Sequence, residues 1–186
     1  MPCNASDPPV PGDAARCHGM MVGMLIVRAT KRLLDRIGGP TLVAGEQSTT
    51  LLGQWYATAL RWRPQVALMV NETTLLPVLV PLAPAATLLA RAGDQIAAVL
   101  AVHGVPGPVI AAEREQMRRW RTAATANRSV VGVMNEFTSL ADAWRNGRVD
   151  LLALALRLAA TPCGPLYSTH GSPDRALAAH VRPAPL

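Results

Sequence analysis

Between Glu72 and Arg91 the chain runs without a charged residue, yet prolines stand at positions 77, 81 and 84. Apolarity alone would suit a membrane. Each proline, however, removes a backbone donor and clashes with the preceding turn of a helix, and a spanning helix needs about 20 uninterrupted residues. The stretch therefore reads as a short strand over residues 75–82, its prolines tolerable at a sheet edge. No membrane segment is expected.

Two β-like runs, residues 55–62 and 65–70, precede it and are separated by Arg63-Pro64, the pattern of a hairpin. Residues 24–28 read as a buried strand, followed by a short helix with Leu33, Leu34 and Ile37 inward and Gly38-Gly39-Pro40 as its stop. Beyond Pro84 the period turns helical, with Leu88, Leu89, Ile96, Val99 and Leu100 on the apolar side up to His103. A helix over residues 110–119, a strand over 120–126, a long helix opened by Asn127 and a last one over 150–160 complete the core. Strands come early and helices late, which predicts an α+β fold. The expected architecture is a single domain over residues 24–168, a small antiparallel or mixed sheet from the N-terminal half packed against C-terminal helices. A chain of 186 residues suffices for one such core.

The ends read differently. Residues 1–23 are rich in proline and small residues and have no apolar period, so a disordered leader is expected. Met20, Met21 and Met24 offer a later translation start, which would make that leader the product of a mis-assigned start. Residues 169–186 hold Gly171, Pro173, Pro183 and Pro185 and read as a flexible tail.

The long helix carries the most pointed pattern. Val130, Met134, Phe137, Ala141 and Trp144 form an apolar stripe. Arg128, Gly132, Asn135, Ser139 and Asp142 repeat the same spacing about 200° round the helix. Gly132 inside that second face suggests close approach of a ligand or another backbone, since glycine there costs about 1 kcal/mol against alanine. Asn127 suits the N-cap, and Arg128 with Ser129 in the first turn would suit an anion. Asn71, Asn127, Arg128, Ser129 and Asn135 are the ligand-binding candidates. The plainer alternative is a cap, a solvated arginine and an asparagine tying down a loop.

Residues 125–136 resemble the central motif of a bacterial family of small single-domain proteins classed as a domain of unknown function: N-R-S-V-x-G-x-M-N followed by an acid. Met24-Leu-Ile-Val-Arg-Ala-Thr-Lys-Arg-Leu-Leu is similar to that family's start, and Val70-Asn71-Glu72-Thr73-Thr74-Leu75 to its second shared segment. The likeness spans residue 24 to about 165. It implies a common fold and brings no established activity.

The charge bears on partners. With 18 basic and 12 acidic residues the formal net charge is +6, and Lys31 alone of the basic residues is a lysine. The excess sits in residues 24–63 and 113–128. Each holds an R-W-R triplet, Arg61-Trp62-Arg63 and Arg119-Trp120-Arg121. On a strand the tryptophan points one way and its arginines the other. Two such strands in one sheet would raise Arg61, Arg63, Arg119 and Arg121 as one surface, extended by Arg28, Lys31, Arg32 and Arg36, for a phosphate backbone. A solvated basic face is the bland reading of the same residues.

Catalytic signals are thinner. Glu72 and Glu136 as two carboxylates in a cleft, with Arg128 polarising, would make a small hydrolase or transferase. The alternative has Glu72 paired with an arginine and Asn71 with Thr73 making a turn. His103 stands where a helix runs into Gly104, which its dipole explains. Cys3, Cys17 and Cys163 are too scattered for a metal, and no nucleophile elbow, P-loop or GxGxxG occurs. No cofactor and no metal are expected. The reading that results leans away from an enzyme. It is a cytoplasmic module that binds an anionic partner, nucleic acid first, with oligomeric state open.

Overall fold

A computed structural model describes residues 23–145, 147 and 149–182. The expected leader falls outside these residues except for Gly23. That glycine packs so tightly that an added Cβ would stand 2.6 Å from Gln116 Cα.

The elements are β1 (Leu25–Ala29), α1 (Lys31–Ile37), β2 (Trp55–Ala59), β3 (Val66–Asn71), β4 (Pro77–Pro81), α2 (Leu88–Val102), α3 (Gly107–Gln116), β5 (Trp120–Ala124), α4 (Arg128–Trp144), α5 (Leu151–Ala159) and α6 (Pro173–Val181). The strands form one mixed sheet in the order β4-β3-β2-β1-β5. β1 is parallel to β2 and to β5, and β3 is antiparallel to both its neighbours. The α+β expectation, with sheet first and helices after, describes the molecule.

Side-chain alternation divides the core in two. Leu25, Val27 and Ala29 of β1 share one face with Trp55, Ala57, Met69 and Val78, under Leu33 of α1, Leu88, Ile96 and Val99 of α2, and Leu177 of α6. Tyr56, Leu68, Val70 and Leu79 face the other way, against Val130, Met134, Phe137 and Ala141 of α4. β3 (VALMVN) is buried at every position because helices cover both its faces, which explains its unbroken apolar run. α5 lies along β4 and divides its side chains, Ala155 and Ala159 to the first cluster, Leu154 and Leu158 to the second.

The apolar stripe of α4 faces the sheet as its spacing predicts. The hairpin is present as β2 and β3, but β2 stops at Ala59: Leu60 N–H donates to Val66 O at 2.8 Å and closes the ladder, so Arg61, Trp62 and Arg63 form the turn. α3 begins inside the expected break, with Pro108 in its first turn, where a missing N–H costs nothing. The expected flexible tail is a correction. Ala176 and Leu177 have helical spacing and an apolar destination, so α6 folds onto the sheet layer instead of trailing away.

The run Ala85–Val102 is long and apolar enough to cross a membrane, by length and composition only. Here α2 buries Leu88, Leu89, Ala92, Ile96, Val99 and Leu100 and turns Ala90, Asp94, Ala101 and Val102 outward.

Candidate functional site

α4 begins over Tyr56 and ends over Trp62. At its start the Asn127 side chain accepts from Ser129 N at 3.0 Å and Val130 N at 3.4 Å, the N-cap its sequence predicts. The Asn127 backbone N–H donates to Tyr56 OH at 3.0 Å, and its Nδ2 donates to Glu72 Oε1 at 3.4 Å. Tyr56 OH in turn donates to Glu72 Oε1 at 3.2 Å. Beside them Arg28 Nε donates to Gln54 Oε1 at 2.6 Å, and its Nη1 to Ala124 O at 3.2 Å. Burial first, and the Glu72 charge further down the order, push the Tyr56 phenol above its ordinary value. The phenol is thus a neutral connector at physiological pH, holding the helix start to the sheet.

Asn71 belongs to a different task. Its Nδ2 donates to Leu52 O at 2.7 Å and Gln54 O at 3.2 Å. Its Oδ1 accepts from Thr73 N at 3.1 Å, Thr74 N at 2.8 Å and Thr74 Oγ1 at 2.9 Å. The fully buried amide has no capacity left for a ligand and shapes the β3–β4 turn, in which Leu75 takes a left-handed φ of 57°.

The two candidate carboxylates are not brought together. Glu136 lies nine residues along α4 from the cap that touches Glu72, about 13 Å at 1.5 Å per residue. It faces instead the neighbourhood of Cys163, whose buried thiol is pushed up to about 11 by burial and, secondarily, by the Glu136 charge. Arg128, Ser129 and Asn135 are exposed on the helix. Nothing lies within 4 Å of a Cβ built on Gly132, so no neighbouring backbone explains that glycine. Of the ligand-binding and catalytic candidates, Glu72 and Asn127 meet side chain to side chain, and Ser129 joins them through its backbone N–H alone, within the cap.

The two R-W-R triplets also separate. β2 and β5 both run parallel to β1, but Arg61 and Arg63 follow the end of β2 whereas Arg119 precedes the start of β5. Trp62 joins the core under α4 and Trp120 packs against the opposite core. The expected four-arginine surface is therefore divided between the two ends of the sheet. Parallel register is the physical reason, because it puts corresponding strand ends together, and the triplets occupy opposite ends.

The arginines differ in their company too. Around α3 and β5, Arg114 pairs with Asp94, Arg118 with Glu115 at 3.1 Å and Arg121 with Glu46 at 3.1 Å. Around the β2–β3 turn the pattern reverses. Among the described residues Arg32, Arg36, Arg61, Arg63 and Arg145 have no carboxylate at ion-pair distance, Lys31 pairing with Asp35 at 3.1 Å. Arg36 donates to Gln65 and so ties α1 to the turn. Arg145, just past α4, lies over the Trp62 ring at 5.4 Å. Nothing in the sequence pattern singles out Arg145, because only the fold brings the end of α4 to the β2–β3 turn.

Other groups serve the framework. Glu113, buried in α3, accepts from Leu51 N at 2.7 Å and Leu52 N at 3.1 Å. His180 of α6 reaches Leu51 O at 3.1 Å, and burial lowers the His103 pKa against an opposing Asp174 charge. No cluster of three or more His, Cys, Asp or Glu among the described residues is arranged for a metal ion.

Fold and surface together define a small α+β protein with a mixed five-stranded sheet and an uncompensated arginine cluster at one end of it. The chain belongs to the family described as a domain of unknown function, DUF6933, whose model matches residues 26–176. No curated protein and no solved structure matches it.

Proposed function

We propose that this protein is a binding module for an anionic partner, nucleic acid in the first instance, and that it works in the cytoplasm. The partner is engaged around the β2–β3 turn. The observation that carries the reading is the contrast in charge compensation among the described residues: around α3 and β5, Arg114, Arg118 and Arg121 are paired and Arg119 is not, whereas around the β2–β3 turn none of Arg32, Arg36, Arg61, Arg63 and Arg145 is paired. Cations without protein counter-charges contribute most to phosphate binding, since each phosphate neutralised releases counterions. Arg36 and Arg145 are also held in place, by Gln65 and Trp62, which reduces the entropy lost on binding. A hydrolase or transferase built on Glu72 and Glu136 has no such support, because those carboxylates stand apart.

Retention on heparin and affinity for an oligonucleotide, each across a salt series, test this. Replacing Arg61 and Arg63 together by alanine should reduce the slope of log affinity against log salt by about one for each phosphate no longer neutralised. Replacing Arg119 and Arg121 should change it less. Equal retention by wild type and the Arg61/Arg63 variant would reject the proposal.

A further inference from the structure

A cavity of about 250 Å³ opens at the end of the β2–β3 hairpin. Val66, Pro81, Val149 and Leu151 supply apolar walls, and Arg63 and Arg145 are its charged lining residues. Trp62 also lines it, although only 4% of its surface is exposed. The indole N–H donates to Asp142, and neither lining arginine has an ion-pair partner among the described residues. The Arg145 guanidinium carbon lies 5.4 Å from the centre of the Trp62 ring, within cation–π reach. An arginine attracted to an aromatic ring has less freedom to lose on binding, and its guanidinium edge can grip an oxyanion through two parallel bonds.

Two guanidinium groups beside one small space match a doubly charged anion better than a single carboxylate. The aliphatic walls ask for carbon rather than more charge. We infer that this cavity binds a phosphomonoester carried on a compact apolar body, with Arg63 and Arg145 donating to the phosphate oxygens. The volume lies below the roughly 300–1,000 Å³ of drug-sized ligand sites, so the occupant is a small molecule or one end of a larger one. The inference rests on the anion-binding reading above and gives it a ligand class. A free small phosphomonoester and the terminal phosphate of a nucleic acid share this chemistry.

Phenyl phosphate is the probe, titrated calorimetrically into the full chain at low salt. Saturable binding is expected, weakened about tenfold or more by Arg63→Ala and by Arg145→Gln, the scale of a charge-assisted hydrogen bond, and unchanged by Arg119→Ala. Arg63 is exposed, so its variant tests the site even if the Arg145 variant folds poorly. Competition by a 5′-phosphorylated oligonucleotide, but not by its 5′-hydroxyl twin, would identify a nucleic-acid end as the source. Binding of phenyl phosphate without such competition would identify a free small ligand. Absence of saturable binding to wild type, or wild-type affinity retained by both arginine variants, would overturn the inference. If heparin retention still depends on Arg61 and Arg63 in that case, the wider basic surface stands and the cavity alone is rejected. If phenyl phosphate binds while retention is independent of those arginines, the cavity stands and the wider surface is rejected.

Discussion

Replacing Asn71 with alanine removes five hydrogen bonds at once and takes from the Leu52 carbonyl the Nδ2 donor it has at 2.7 Å, while Gln54 O keeps the Glu72 N–H at 2.9 Å. Buried groups stripped of partners each cost about 1–3 kcal/mol. Chemical denaturation of Asn71→Ala should therefore show a loss of about 2–4 kcal/mol, among the larger single-residue effects. Glu113 carries a pH dependence. Burial is the largest influence on its carboxyl and raises its pKa, against the Leu51 and Leu52 donors and the His180 charge. A folded pKa above the unfolded one means that the native state holds the proton more tightly. This contribution is fully present below the ordinary value of 4.5 and is lost as pH rises through the folded value. Urea titrations of wild type and Glu113→Gln across this range should show the wild type losing stability faster as pH rises. Parallel curves would refute the assignment. At this scale the cap was readable, because asparagine before an apolar-periodic run has one dominant use. The turn was readable only as an alternative. Whether Asn71 bonds to its own turn or to a ligand depends on the Leu52 and Gln54 carbonyls, far off in sequence.

Among the elements, α4 was the most legible, its apolar stripe facing the sheet as the spacing requires. Its opposite face was not. Gly132 stands in open space, so Gly132→Ala should stabilise the protein by about 1 kcal/mol through helix propensity alone. A thermal midpoint that fails to rise would mean that this position has a role beyond the helix. If the variant instead gains stability but loses affinity for the partner, the second face of α4 is part of the interface. The end of β2 was misjudged for a definable reason. Alternation continues through Leu60, Arg61 and Trp62, but the ladder closes at Leu60–Val66, and closure depends on the partner strand rather than on the pattern. The tail was misjudged similarly: glycine and proline mark breaks, while Ala176 and Leu177 find their place only once the sheet exists. Leu177→Ala, at 1% exposure, should cost about 2–5 kcal/mol by denaturation, whereas a flexible tail would tolerate it freely.

Across the whole molecule, a net charge of +6 states only an excess. Folding sorts it, because Asp94, Glu115 and Glu46 pair with one group of arginines, while among the described residues no acid stands at ion-pair distance from Arg32, Arg36, Arg61, Arg63 or Arg145. The two basic segments are visible in the sequence, but a linear pattern has no means to pair charges across 75 residues, the separation of Arg121 and Glu46. Raising salt should therefore weaken partner binding strongly while changing folding stability little, since exposed pairs such as Arg118–Glu115 contribute at most about 1 kcal/mol each.

The margins of the sheet carry a consequence for assembly. Along β5, Thr41 N and Leu42 N donate to Thr122 O at 2.8 and 2.9 Å, and Thr122 N–H is taken by Thr41 Oγ1 at 3.0 Å. Along β4, α5 packs close, and Pro77 and Pro81 have no N–H to offer. A second chain arriving as an added strand would meet occupied groups at β5, and at β4 two positions without an N–H and α5 alongside, so continuous sheets running from molecule to molecule are disfavoured. Copies of this protein that associate would have to meet through helices and loops. Amyloid-like growth would require the 41–42 segment or α5 to peel away first.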